Sequence, residues 1–324
     1  MILKMLLTGV LAFLLAFLLT LSQIQANDNI RILYTQGPHA FHAWLFHGMS
    51  QGIYSDNGID IEIVGNGGGS QKTNLSAALG HVDVSITDFA SVVIVNDKFE
   101  ESKIKTIMVL DAIGGDILIT RNKITELSEI NGMRLAANPN STSAKLLRIV
   151  TDAKPDYINI PLSLKEISFE REEVEGFTTF KSKSVPHLVT QFGYSLDELN
   201  ITPLVSRNPW TVGFVLNANS LWVEEHRQVV KRFINASKMS IESCVLHKQL
   251  CLWSLQNQVG SRFNLAVEEY RLDYWLKESV YTDMVKELGL NYDRTEDLKI
   301  YTKNITEALD MNLRPISDYY EHIE

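Results

Sequence analysis

The stretch Asn66-Gly67-Gly68-Gly69-Ser70 constrains this chain most, because it stands between a strand-like run ending at Val64 and a helix-like run beginning near Gln71. Three adjacent glycines leave backbone N–H groups unobstructed and admit positive φ, so a ligand can approach the main chain at a helix N-terminus. A plain strand-to-helix turn uses the same residues. A nucleotide-phosphate loop fits poorly: it needs glycine directly before Lys-Ser/Thr, and Gln71 precedes Lys72-Thr73.

Around that turn, strands and helices alternate. Residues 30–34 read as a strand, closed by the breaker cluster Thr35-Gln36-Gly37-Pro38-His39. A helix is expected over 40–54, carrying Phe41, His42, Trp44, Leu45 and His47; Gly58 then turns the chain into an alternating, half-buried strand over 59–64. A helix over 71–80 follows, then a strand over 82–86 with Thr87 and Asp88 at its carboxyl end, a helix over 89–98 and a strand over 105–110. Such alternation implies right-handed crossovers and a largely parallel sheet, with ligands beyond the strands' carboxyl ends. The loops around 37–44, 67–70 and 87–88 share that edge.

A second set begins after Gly114-Gly115, which read as a flexible crossing between lobes. A strand is expected at 117–120, a short helix at 124–130 closed by Gly132, and a strand at 133–137. Asn138-Pro139-Asn140-Ser141-Thr142-Ser143 then opens a helix over 144–150; hydroxyls and N–H groups there make an anion site, or serve only as caps. Residues 155–161 and 167–175 suggest no definite element, and the charged run 170–173 reads as a solvated face. Phe177 to Phe180 follow a strand end, a helix covers 185–192, and Trp210 precedes a returning strand over 211–216. From 219 onward the chain is expected to be helical, over 222–246, 251–259, 267–276, 281–288 and 295–309. The fold class is α/β, two lobes with a helical C-terminal part.

Bulk properties narrow the function classes. With 324 residues, 45% hydrophobic and 21% charged, the chain has ordinary globular composition, and a net charge of −9 argues against nucleic acid or anionic lipid as partner. Residues 1–26 read as a signal peptide: Lys4 is the sole charge, 5–21 are apolar, 22–25 are polar, and Ala26 marks the expected cleavage point. That apolar run is at the short edge for a membrane span, the alternative being an uncleaved anchor. Export implies an oxidising compartment. Cys244 and Cys251 would lie about 10 Å apart along one continuous helix, too far to bridge, but a break at 247–249 lets them face each other; otherwise they are two buried thiols. Five Asn-x-Ser/Thr sequons, at Asn74, Asn140, Asn200, Asn235 and Asn304, matter only in a glycosylating host.

Six fragments carry a family resemblance. Gly52-Ile-Tyr-Ser-Asp-Asn-Gly-Ile-Asp-Ile-Glu-Ile-Val, residues 66–70, Leu79-Gly-His-Val-Asp-Val-Ser, Gly114-Gly-Asp-Ile-Leu-Ile, Glu129-Ile-Asn-Gly-Met-Arg-Leu and Asn140-Ser-Thr-Ser occur in this order. Together the chain resembles the NMT1/THI5-like family of type II periplasmic substrate-binding proteins, which includes sulfonate, taurine, nitrate and thiamine-pyrimidine binders. The resemblance implies a signal peptide over 1–26, one lobe from 27–115 with 213–324, a second lobe over 116–212, and a two-crossing hinge between them. It implies a periplasmic monomer that closes on a small molecule and delivers it to an ABC permease of the inner membrane, with no cofactor. The implied pocket comprises Phe41, His42, Trp44, Gly69, Ser70, Thr87, Asp88, Asn138, Ser141, Thr142, Phe180 and Trp210, with Asp116 a secondary candidate. Aromatic faces would stack a flat heterocycle, such as a thiamine-precursor pyrimidine, while Ser141 and Thr142 suit a sulfonate-type anion equally. Trp44, His42 and His47 also fit a plain core role, and lone histidines are poor metal ligands. Two other functions fit the same fold: a pyrimidine-synthase-like enzyme and a ligand-sensing module for a membrane receptor. The synthase branch uses Lys and His in a segment corresponding to 87–95, where this chain has neither, and it carries a Cys-rich motif absent here.

Overall fold

The computed structural model describes residues 26–99, 103–111, 116–139, 141–161, 163–204, 212–277, 293–308 and 311–323, the side chains of Thr142, Ile149 and Ala308 excepted. The signal segment before Ala26, the Gly114-Gly115 crossing, Trp210 and the helix expected over 281–288 lie outside the described residues.

The strands are β1 (Asp28–Tyr34), β2 (Ile59–Asn66), β3 (Val84–Asp88), β4 (Ile104–Val109), β5 (Asp116–Thr120), β6 (Arg134–Ala136), β7 (Asp156–Ile158), β8 (Gly176–Phe180), β9 (Asn200–Pro203) and β10 (Phe214–Asn219). They form two five-stranded sheets, ordered β2-β1-β3-β10-β4 and β7-β6-β8-β5-β9. The chain therefore leaves the first sheet after β4, builds the second sheet in one excursion, and returns with β10.

Within each sheet the βαβ units are parallel, β1 with β2 and β3, and β6 with β7 and β8. β10 runs antiparallel to β3 and β4, and β5 antiparallel to β8 and β9. A largely parallel sheet was the expectation; the reversed strands follow from the connectivity. A strand entered straight from a crossing starts at the crossing edge, where its parallel neighbours end, so it must run the opposite way. This inversion sets the first residues of β5 and β10 beside the last residues of β8 and β3. In register, Asp116 pairs with Phe180 and Phe214 pairs with Asp88.

The helices are α1 (Ala43–Ser50), α2 (Ile53–Asp56), α3 (Ser70–Ala78), α4 (Phe89–Lys98), α5 (Thr142–Val150), α6 (Lys165–Glu170), α7 (Lys181–Phe192), α8 (Ser220–Glu225), α9 (Arg227–Leu246), α10 (Lys248–Val259), α11 (Leu265–Trp275) and α12 (Thr295–Ala308). The single helix expected over 40–54 is broken: a 3-10 turn spans Ala40–His42, and Gly52 adopts φ +73° between α1 and α2. The helix expected over 222–246 is likewise split at His226, with the Asn219 side chain capping α8 through the Leu221 N–H at 2.9 Å. The short helix expected over 124–130 contracts to a 3-10 turn, Leu127–Ile130.

Phe177 to Phe180, expected beyond a strand end, are themselves the body of β8. Three further elements escaped the sequence pattern. β7 and β9 are short edge strands, β9 ending at Pro203, where the missing N–H costs no ladder bond. α6 buries Lys165, Glu166 and Ser168 beside a single aromatic, Phe169, so no helical apolar stripe marks it.

The core forms where these layers meet. β3 and β5 are buried along their full lengths, being covered on both faces. The largest apolar cluster runs from Ile30, Ile32 and Ile86 through Trp44, Tyr54 and Phe233 to Trp275, and includes Phe180 of the second sheet. Each such side chain withdrawn from water contributes about 1.5–3 kcal/mol. Between α9 and α10 the backbone breaks at His247, and Cys244 and Cys251 are disulfide-bonded with Cα atoms 5.2 Å apart. Among the described residues no helix is long and apolar enough to cross a membrane.

Candidate functional site

The carboxyl edge of the first sheet presents Thr35, Ser70 and Asp88. Asp88 ends β3 and caps α4: its Oδ1 accepts the Ser91 N–H at 2.7 Å, and its backbone carbonyl accepts the Ser91 hydroxyl at 2.7 Å. Its Oδ2 is buried and accepts no hydrogen bond. The Ser70 hydroxyl, 3.4 Å from that of Thr35, is near enough to favour charge on Asp88 without meeting bonding geometry.

The matching edge of the second sheet presents Asp116, whose Oδ1 accepts the Ser143 hydroxyl at 2.6 Å. Asp116 and Asp88 are 95% and 98% buried. Burial raises both carboxyls above the usual range, and the Asp88 charge raises Asp116 further, to about 7, against the opposing pull of Ser143 and Lys165. Lys165 is itself buried, its ammonium donating to the Thr178 carbonyl at 2.9 Å; burial first, then Lys183, lower it to about 8. Tyr301 of α12 stacks on Phe89 at 5.9 Å, and its phenol is pushed up by burial and by the charges of Asp116 and Asp88.

Aromatic rings close the same edge. Phe180 and Phe214, the cross-strand partners of the two aspartates, have ring centroids 4.7 Å apart across the sheets. Phe41 packs on Phe214 at 4.6 Å and edge-on to Trp275 at 5.4 Å. The edge thus alternates carboxylate and ring from both sheets.

The other expected site residues are placed differently. Thr87 faces a buried polar network, donating to Asn74 at 3.0 Å and accepting from Asn217 at 2.8 Å, so its hydroxyl is committed within the fold. The same network holds Asn74, fully buried, and closes that sequon to modification. The Gly69 N–H donates to the Thr35 carbonyl at 3.1 Å and the Gly67 N–H to Tyr34 at 2.9 Å, so two of the amides expected to face a ligand instead tie the turn to β1. Gly69 is still required there, at φ +141°.

Trp44 is fully enclosed in the apolar core, its backbone carbonyl accepting the Ser240 hydroxyl. His42 is buried against Tyr34 and Phe41, and burial lowers it to about 3, so it stays neutral. Asn138 is exposed; its carbonyl accepts the Ser141 N–H. The Ser141 side chain caps α5 by accepting the Ala144 N–H at 3.3 Å. Thr142 begins α5, but its side chain, like Trp210, is outside the described residues. Among the expected residues the structure brings together Phe41, Ser70, Asp88, Phe180 and the secondary candidate Asp116. Sequence reading missed Thr35, Ser143, Phe214 and Tyr301. Phe214 could have been found by registering a reversed strand against Asp88. Among the described residues no group of His, Cys, Asp and Glu is arranged to hold a metal.

This architecture, two mixed sheets in the same inverted strand order with a chain that crosses twice, is the type II periplasmic-binding-protein fold. The sequence matches the family described as NMT1/THI5 like over residues 40–249, and the chain belongs to that family. Among solved structures, it is similar to the alkanesulfonate-binding protein SsuA of Xanthomonas axonopodis pv. citri bound to MOPS, with TM-score 0.66 and 10% identity, over 92% of this chain and 99% of that one. A ligand-binding component of an ABC-type import system from Staphylococcus aureus, with zinc bound, gives TM-score 0.64 and 14% identity over 91% and 97%. The Candida albicans CA3427 gene product gives 0.65 and 14% over 92% and 98%. At these identities the likeness is one of fold. No curated protein gives a significant sequence match.

Proposed function

We propose that this chain is an exported solute-binding protein that captures one small molecule between two lobes and performs no chemistry on it. The lobes are 27–115 with 213–324, and 116–212; residues 1–26 direct export to the periplasm and are removed. The loaded form docks as a monomer on an ABC permease of the inner membrane.

The observation that carries this reading is the meeting of the two sheet edges: Ser70 and Asp88 from one, Asp116 and Ser143 from the other, roofed by Phe180 and Phe214. Polar groups held out of water at a junction between lobes need a partner to repay their desolvation, and a ligand supplies it. The family and the import-system likeness support the same reading. Sequence alone favours a flat heterocycle and a sulfonate-type anion equally.

Native mass spectrometry of the mature chain, purified without denaturation, tests this together with small-angle scattering. A stoichiometric small-molecule adduct with compaction on rebinding is expected. Turnover of the retained molecule, or no adduct and no compaction with any tested solute, would overturn it.

A further inference from the structure

We infer that the site takes a small organic cation, a protonated amine or amidine whose N–H groups join Asp88 of one lobe to Asp116 of the other, with its carbon skeleton against Phe180 and Phe214. This rests on the solute-binding reading above and deepens it.

Three observations point the same way. First, the unmet group at the junction is an acceptor: Asp88 Oδ2 is buried and no donor meets it in bonding geometry, the Ser70 hydroxyl standing near without doing so, so what it lacks is a well-placed donor. Second, the carboxylates sit within electrostatic reach of each other, and Asp111 adds a third negative group acting on Asp116. Lys165 of α6 opposes them, but its ammonium is turned to the Thr178 carbonyl. The Tyr301 hydroxyl, from α12, feels both charges. A cation placed between Asp88 and Asp116 relieves their repulsion, whereas an anion adds to it.

Third, among the described residues, several groups that could have held a sulfonate are spent. The start of α5 is the anion site suggested by sequence, yet Ser141 takes the Ala144 N–H and the Ser143 hydroxyl is given to Asp116. At the other sheet, the Gly67 and Gly69 amides are given to β1. The rings complete the fit, since aromatic faces attract cations as well as apolar surface.

The test uses the mature chain and two probe pools from a yeast-extract ultrafiltrate, one retained on a cation exchanger and one retained on an anion exchanger. The expected result is a native-mass adduct and a raised melting temperature with the cationic pool and neither with the anionic pool. The purified cationic binder should need about tenfold more concentration for half-saturation of Asp88→Asn or Asp116→Asn. Retention of the Cys244–Cys251 disulfide and a cooperative melt show that the variants fold. A measurement without variants accompanies this: affinity of the unaltered protein should fall as the pH drops from about 8 to about 5, because protonation of the pair removes the attraction while an amine stays charged. An adduct from the anionic pool, or a cationic binder indifferent to both substitutions and to pH, overturns the inference. No adduct from either pool, with no compaction, overturns the solute-binding reading beneath it.

Discussion

Asp116 ties the stability of the fold to pH. Its carboxyl is raised to about 7 in the fold from an ordinary 3.8. Between those values the folded chain binds more protons than the unfolded one, so the ligand-free protein should lose stability as pH rises, by up to roughly 1.4 kcal/mol per pH unit. His42 acts in the opposite sense: lowered to about 3 from 6.5, it contributes stability that is lost as pH falls. The two slopes overlap, so Asp116 is read by difference. Asp116→Asn should melt higher than the parent at neutral pH and converge with it near pH 4; calorimetry across that range checks this, and a lower melt at neutral pH would contradict it. Asp88 was legible at this scale because it ends a recognisable strand, whereas Phe180 entered only through the family resemblance. Ser143 and Phe214 were not legible, since their roles depend on partners far away in sequence.

Among elements, the glycine-rich turn and the α9–α10 break make separate predictions. At φ +141°, Gly69→Ala strains the backbone even though the space is open, and should cost about 1 kcal/mol or more in chemical denaturation. At Gly67 the obstacle is steric: a Cβ would run into Thr73, its backbone Cα as well as its hydroxyl, so Gly67→Ala should also destabilise. Replacing both Cys244 and Cys251 by serine opens a short loop, and the chain-entropy estimate puts the loss at about 2–3 kcal/mol. That break was one of two outcomes the spacing allowed. Thr87→Val leaves Asn74 and Asn217 short of a partner in a buried network, at a cost of about 1–3 kcal/mol in urea melts.

For the molecule as a whole, the C-terminal helices help to hold the two sheets together. α11 packs on α7, and Arg271 donates from Nε and Nη2 to the Lys183 carbonyl at 3.2 and 3.0 Å while pairing with Glu268. Glu268 in turn accepts the Ala40 N–H at 2.6 Å. This chain of contacts joins the first lobe's entry loop to the second lobe's α7. Arg271→Ala should favour the open form, enlarging the ligand-free radius of gyration in scattering and weakening ligand binding by about tenfold. An unchanged radius would show that the apolar contact of Phe180 with Phe214 suffices for closure.

The sequence by itself determined the alternation of strands and helices and the two-lobe plan, and pointed to the carboxyl edge as the candidate place for a ligand, because apolar period and turn chemistry are local. Helix α4, over Phe89–Lys98, was readable to the residue. What only the tertiary structure decided was which way β5 and β10 run, and hence which residues meet. That depends on where the chain crosses between sheets, a non-local matter that no window of sequence contains. Trp44 went to the core and Thr87 to a polar network because packing on both faces of a sheet edge leaves few positions turned toward the junction. The juxtaposition of Asp88 and Asp116, on which the proposed ligand charge rests, exists only once two sheets have folded against each other and taken both carboxyls out of water.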